Sequence, residues 1–543
     1  MRKILAMIMA LTVILSLATT AFAAPTTTYS ITIDSDKTGH IYEAYQIFKG
    51  TLEGKIADND NVPDTEAILT DIEWADGVVS HLDDTAEEVA LKLSTGEMTA
   101  QDLIDLVNEG KIELGASDGI STYDESKKEY VIKNLPAGYY LVKDRAVDDA
   151  SVVYTEFILE VVEDSTVNPK GTVPEVEKKI KDINDSTELN ISDKVWQDSA
   201  DHDVGDTIPY KLEATLADNL EIYKPAYNLV FHDLLSPGLT YQEITSAKII
   251  NPDGTEIDLF TDHKYTENYK TVNDDPKTTD LIEASELTVA INDVKALGGK
   301  NGCKVVIEYN ALLNEDAVVG SLGNPNEVYL TFSRNPYEGT DYGETPKDRV
   351  IAFTYKVVVN KVREDGLNAD GSTKYVPLSG ATFELKKWVK GPDKADGSPD
   401  GTWKTLQTVD TNPDTEFTFS GLDDGWYCLT ETKAPDGYNA IETIYFRVDA
   451  KHDVLSEAPQ LTELKGTETT SQGPNKEKGD LGTFEIVHNE EKQALITDIV
   501  NKAGIQLPET GGIGTTIFYA AGALMVLCAV ILLITKKRMN IAE

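Results

Sequence analysis

Short runs in which apolar and polar residues alternate, each closed by turn residues, recur along most of the chain. They read YSITI, EYVIKNL, EFILEVVE, TIPYKLEATL, CKVVIEYNALL, NEVYLTFS, AFTYKVVVNKV, ATFELKKW, WYCLTET and TIYFRV. Successive strand side chains point to opposite faces, so such a run buries one face and wets the other. Many short strands separated by turn signals specify packed antiparallel sheets, and the pattern predicts an all-β chain of tandem immunoglobulin-like β-sandwiches. One stretch departs from it: DTAEEVALKLSTGEMTAQDLIDLVNEGKI has apolar residues at helical spacing and good helix formers. It predicts a helical insertion in the first domain. Proline-bearing stretches, VNPKGTVPEVEK and YEGTDYGETPKDRV, punctuate the pattern and divide the chain between its ends into domains at 24–168, 172–345 and 346–505.

Both ends are apolar. The first, MRKILAMIMALTVILSLATTAFAAP, has two basic residues, a greasy run and the small-x-small triplet Ala21-Phe22-Ala23. It predicts a cleaved signal peptide at residues 1–23 and an exported chain. The other end, residues 507–543, has an apolar run from Ile517 to Ile534 followed by Lys536, Lys537 and Arg538. A run of about eighteen residues just spans a bilayer as a helix, with its basic tail held in the cytoplasm. Immediately before it stands Leu507-Pro508-Glu509-Thr510-Gly511.

Charge and chemistry narrow the function. Asp and Glu outnumber Lys and Arg by 93 to 49, which excludes nucleic acid as a partner, since phosphate binding needs a basic surface. Of the three cysteines, Cys528 lies in the apolar run, leaving Cys303 and Cys428 as at most one disulfide pair. The seven histidines are scattered, and neither a HExxH motif nor a GxSxG elbow occurs. No turnover enzyme, cofactor or metal centre is expected, and the acidic stretches NDDPKTTD and DGSPDG read as solvated turns and not as calcium loops.

The pentapeptide, apolar span and basic tail, in that order, resemble the cell-wall sorting signal of Gram-positive surface proteins. YCLTETKAPDGY looks like the E-box of sortase-assembled pilins, in a domain resembling the collagen-adhesin B-type fold, and LPAGYYLVKD is a weaker echo of it in the first domain. Together these motifs resemble the major, shaft-forming pilins of Gram-positive bacteria. The resemblance implies that a pilin-specific sortase cuts after Thr510, takes it as a thioester and passes it to an amine on an identical subunit, head to tail. It also implies minor pilins and peptidoglycan as partners, with a host surface as a further candidate. The family's pilin motif ends Val-Tyr-Pro-Lys; here Val167-Asn168-Pro169-Lys170 has Asn in place of Tyr. Lys170, in a Pro-Lys-Gly stretch between two sandwiches, is the expected acceptor.

A second chemistry is implied within the domains. A buried, neutral lysine attacks an asparagine amide to give an isopeptide bond and ammonia, assisted by a buried acid that polarises the carbonyl and carries the proton. All three side chains must then point inward, which strand parity tests. In the last domain Lys361 is in phase with Val357 and Val359, and Glu431 with Tyr427 and Leu429. Asn501, in phase with Leu495 and Ile499, competes with Asn489 as the acceptor. In the middle domain, which resembles the collagen-adhesin A-type fold, Lys178 is in phase with Val176 and Ile180, with Lys179 as the alternative. Asn326 is in phase with Val328, Leu330 and Phe332, and Asp233, in the place of the acid, with Leu229 and Phe231. Both bonds are expected to join a domain's first strand to its last. In the first domain Asp144 takes the place of Glu431, but no lysine lies in YSITI and Lys37 follows it in a polar turn, so no bond is expected. A shaft pilin accounts for all these features; a monomeric wall-anchored adhesin, binding host matrix or glycans, is the alternative.

Overall fold

The computed structural model describes residues 27–35, 38–53, 67–147, 154–167, 173–271, 281, 284–336, 339–395, 400–410, 413–469, 485–489, 491–503 and 513–539. The expected signal peptide, Lys170, Lys37, the pentapeptide 507–511, NDDPKTTD and most of DGSPDG lie outside the described residues.

The chain is all-β, and among the described residues its α-helices are confined to one insertion and the C-terminus. In the first domain, a sheet containing Tyr29–Asp34 and Glu129–Leu135 packs on a second built around His40–Glu53 and Gly138–Val147. Ile31, Ile33, Tyr42 and Tyr140 fill the space between them. The helical insertion is two short helices, Ala86–Thr95 and Ala100–Asn108. Thr85 with Glu88 and Thr99 with Asp102 form reciprocal capping boxes that satisfy the first free N–H groups of each helix. Gly96 ends the first helix at φ 77°, a left-handed position that glycine adopts without penalty. Val89, Leu103 and Ile104 then seat the pair on Ile47, Phe48 and Leu141 in a core of their own.

The middle domain is a sandwich of two sheets. Strand Thr207–Thr215 shows why: every second residue, Ile208, Tyr210, Leu212 and Ala214, is buried, and the others are partly or fully exposed. Each large apolar side chain so buried contributes about 1.5–3 kcal/mol. Strand Glu175–Ile180 lies at the edge of one sheet, beside Thr207–Thr215; Asn324–Ser333 lies inside the other, between Leu229–Leu235 and Asp348–Phe353.

AFTYKVVVNKV, read from the sequence as one strand, is two. Asp348–Phe353 pairs with Asn324–Ser333 and completes the middle sandwich. Tyr355–Leu367 pairs antiparallel with Glu416–Leu422 and parallel with Ala494–Val500 in the last domain. Only Thr354 separates them, fully buried, its hydroxyl donating to the Leu422 carbonyl at 3.2 Å. Pairing therefore carries the middle sandwich past residue 345, where the sequence places the boundary, to Phe353.

At the end of the chain, helix Ile513–Met539 contains a segment, Tyr519–Lys537, long and apolar enough to cross a membrane, with a mean hydropathy of 2.1.

Candidate crosslinking sites

In the last domain Val357, Val359 and Lys361 face inward along one strand, and Lys361 is 0% exposed. The parallel partner strand sets Ile499 opposite Lys361, so Asn501, two residues on, arrives beside the lysine head group. The Asn501 backbone N–H is anchored on the Val362 carbonyl at 3.1 Å. Lys361 Nζ lies 2.5 Å from Asn501 Oδ1 and 2.9 Å from the Ile499 carbonyl. Asn501 Nδ2 donates to both Glu431 oxygens, at 3.0 and 3.1 Å, and Glu431 Oε2 also accepts from the Ile441 N–H at 2.9 Å. Glu431 Oε1 is 3.9 Å from Lys361 Nζ. Burial lowers the Lys361 pKa to about 8, against the opposing pull of Glu431, and so favours the neutral, nucleophilic amine.

Two details differ from the sequence reading. The acid holds the amide nitrogen, the leaving group, and not the carbonyl oxygen. Of the two asparagines left open, Asn501 meets Lys361, whereas Asn489 lies on a separate strand, Glu485–Asn489, opposite Ala494.

The middle domain assembles a similar group across its two sheets. Lys178, Asp233 and Asn326 are each 0% exposed. Lys178 Nζ donates hydrogen bonds to Asp233 Oδ1 and, at 3.0 Å, to Tyr309 Oη. Asn326 Nδ2 donates to the same hydroxyl at 2.7 Å, leaving Asn326 Oδ1 and Asp233 Oδ2 buried without hydrogen-bond partners. Burial pushes the Lys178 pKa down and the Asp233 pKa up, so desolvation drives both partners towards their neutral forms. Lys179 points away and pairs with Asp198 at 2.6 Å. Strand Asn324–Ser333 is not the domain's last, since Asp348–Phe353 follows it; a bond from Lys178 to Asn326 would join the two sheets of the sandwich.

Sequence reasoning missed Tyr309. Its ring stacks on Tyr210 with centroids 5.3 Å apart, and Lys178 Nζ sits 5.2 Å from each ring centre. The signal was present, because Tyr309 is in phase with Val305, Ile307 and Ala311 on an apolar face.

In the first domain Asp144 is buried against His40, with Nδ1 2.5 Å from Oδ2. A histidine stands where the other two domains present lysine. Cys303 and Cys428 are buried free thiols in different domains, each raised to about pKa 11 by burial.

A family described as the prealbumin-like fold domain matches residues 367–458, and one described as the LPXTG cell wall anchor motif matches residues 499–540. Fold and matches together define the class: a cell-wall-anchored surface protein of tandem β-domains. Within it the chain is similar to pilus proteins of Gram-positive bacteria. It is 25% identical over 280 residues to the trypsin-resistant surface T6 protein of Streptococcus pyogenes serotype M6, covering 43% of this chain and 48% of that one. It is 26% identical over 248 residues to the fimbrial subunit type 1 of Actinomyces viscosus, covering 41% and 40%. The matches thus span less than half of each relative's length. Among solved structures, the T6 backbone pilin of S. pyogenes superposes with a TM-score of 0.49 at 17% identity, over 89% of this chain and 99% of that one. The full-length major pilin SpaD of Corynebacterium diphtheriae does so at 0.40 and 21% identity, over 76% and 88%.

Proposed function

We propose that the chain is the shaft subunit of a covalent pilus, polymerised by sortase and hardened by two internal isopeptide bonds. The observation that carries this reading is the buried contact between Lys361 Nζ and Asn501 Oδ1, with Glu431 on the amide nitrogen, in a chain that ends in a cell wall anchor. Neutral Lys361 Nζ attacks Asn501 Cγ, the new C–N bond forms, and Nδ2 leaves as ammonia. Glu431, within reach of both nitrogens, relays a proton from the attacking amine to the leaving one. In the middle domain Asp233 plays that part beside Lys178, with Tyr309 orienting the Asn326 amide.

The mechanical consequence follows from placement. Tension along the shaft enters a domain near its first strand and leaves near its end. An isopeptide bond carries that load covalently, whereas a ladder hydrogen bond contributes only about 1 kcal/mol net. Between subunits, Thr510 joins Lys170 of the next chain. This heterologous contact does not close on itself and so builds a fibre.

The names of the relatives, a fimbrial subunit and a surface protein also described as a backbone pilin, support the shaft reading over the monomeric adhesin. Intact mass of the secreted chain tests the internal chemistry: a deficit of two ammonia masses is expected. A mass equal to the encoded one would refute both bonds.

A further inference from the structure

The interior of the middle sandwich sets two tyrosines, not one, against the crosslinking residues. Strand Thr207–Thr215 runs between Glu175–Ile180, which carries Lys178, and Lys304–Leu313, which carries Tyr309. Its Tyr210 points inward, is fully buried and pairs directly with Tyr309 in the ladder. The two rings lie within 12° of parallel with centroids 5.3 Å apart, so their hydroxyls stand side by side. Lys178 Nζ is 5.2 Å from each ring centre. Asp233 and Asn326 come from the facing sheet, on adjacent strands, where Asp233 lies opposite Val328 and Asn326 opposite Leu235.

Hydrogen bonds around the Asn326 amide are unevenly shared. Tyr309 Oη accepts from Lys178 Nζ and from Asn326 Nδ2, and its own proton serves Asp233. Asp233 Oδ1 accepts from Lys178. Asn326 Oδ1, in contrast, is buried without a hydrogen-bond partner. That is the atom on which negative charge develops when Cγ is attacked, and an acyl transfer in a dry site needs a donor there. In the last domain the corresponding oxygen, Asn501 Oδ1, already has Lys361 Nζ beside it at 2.5 Å. The middle domain meets the same need differently.

Tyr210 is placed to supply that donor. Its hydroxyl is set against the Asn326 side chain, with Asp233 close by. Burial, and then Asp233, holds the phenol well above its ordinary pKa, outweighing the opposite pull of Asn326, so the group stays neutral and keeps its proton. A neutral phenol donates one hydrogen bond, and in a water-free, low-dielectric interior that bond is at its strongest. Tyr309 cannot do this, because its proton and its oxygen are already committed.

We propose that Tyr210 is a catalytic residue of the middle-domain crosslink, its hydroxyl donating to Asn326 Oδ1 as charge develops on that oxygen. The assignment rests on the crosslinking reading of Lys178, Asp233 and Asn326 given above. Neutral Lys178 Nζ attacks Asn326 Cγ, the new C–N bond forms, and the carbonyl electron pair moves onto Oδ1. Tyr210 holds that oxygen by a hydrogen bond without surrendering its proton. Asp233 hands a proton to Nδ2 and recovers one from Nζ; the carbonyl re-forms, the Cγ–Nδ2 bond breaks and ammonia leaves. The two tyrosines thus divide the work: Tyr309 holds amine and amide together, and Tyr210 acts on the oxygen.

The test is time-resolved intact mass and peptide mapping of the full chain, synthesised cell-free in detergent, with the Lys361–Asn501 crosslink of the same molecule as internal control. Tyr210→Phe keeps the ring on Tyr309 and removes only the hydroxyl. The Lys178–Asn326 bond should then form roughly 100- to 1,000-fold more slowly, the usual effect of losing one oxyanion donor, with the control unchanged. Replacing Tyr210 by a ring-fluorinated tyrosine, a stronger donor of nearly the same shape, should make the bond form faster than in the wild type. If the Phe variant fails to fold, this comparison decides, and an unchanged or lower rate overturns the donor role. A folded Phe variant that crosslinks at the wild-type rate overturns it too, while leaving the crosslink itself standing. A wild-type chain without any Lys178–Asn326 bond would overturn the crosslinking reading, and the role of Tyr210 with it.

Discussion

Lys361 and Asn501 occupy neighbouring parallel strands with Nζ 2.5 Å from Oδ1, buried and bridged by one carboxylate. The parallel register brings together two residues 140 positions apart in the chain. A bond between them would close a loop containing nearly the whole last domain. By analogy with disulfides, such a crosslink should stabilise the fold by about 3–5 kcal/mol.

Glu431→Gln preserves shape and most hydrogen-bonding capacity but removes the proton relay. The domain should fold with Lys361 and Asn501 unlinked, regain one ammonia mass and become easier to digest with trypsin. Glu431→Ala should add a cavity and unpaired polar groups and be less stable still. Intact mass and limited proteolysis check this; a native mass deficit in the Gln variant would remove Glu431 from the chemistry.

Asn501→Ala leaves Lys361 uncrosslinked and buried, which makes its pKa visible as stability. In the fold the amine titrates at about 8 and in the unfolded chain at its ordinary 10.5, so between those values the unfolded state holds more protons. Stability of this variant should therefore rise with pH from about 8 to about 10.5, by about 3 kcal/mol if the full shift is realised. Denaturant unfolding of the variant across that range measures it, and a flat or falling profile would count against a depressed Lys361.

Tyr309→Phe keeps the ring stacked on Tyr210 but deletes the oxygen that accepts from both Lys178 and Asn326. Peptide mapping should show the middle-domain crosslink slowed or lost while the Lys361–Asn501 crosslink persists. The buried donors left behind should cost about 1–3 kcal/mol. Lys179→Ala should leave the crosslink intact.

Lys170→Ala should abolish the ladder of detergent-resistant multimers in wall extracts while monomer still reaches the wall through Thr510. Multimers linked at Lys178 or Lys179 would keep sortase assembly but move the acceptor; an unchanged ladder would refute Lys170.

What the sequence by itself determined is local. Alternation decides which residues of a strand face inward, so the burial of Lys178, Asp233, Asn326, Lys361 and Glu431 follows from two-residue periodicity. It is equally why Lys179 stays outside. The helical insertion and the apolar C-terminal helix were legible for the same reason, since each is written in consecutive residues. Tertiary structure decided which inward side chains meet. Parity ranked Asn501 above Asn489 without excluding either; the parallel register with Tyr355–Leu367 selects Asn501, because pairing between distant strands carries no local signature. Tyr309 looked like core until its hydroxyl was seen between Lys178 and Asn326, and His40 gave no sign that it would take Asp144. The split of AFTYKVVVNKV at Thr354 was hidden because two strands joined end to end keep one continuous alternation. With the split hidden, so was the joint it creates, where aspartates scattered from 182 to 423 gather around Lys387, His202 and His452.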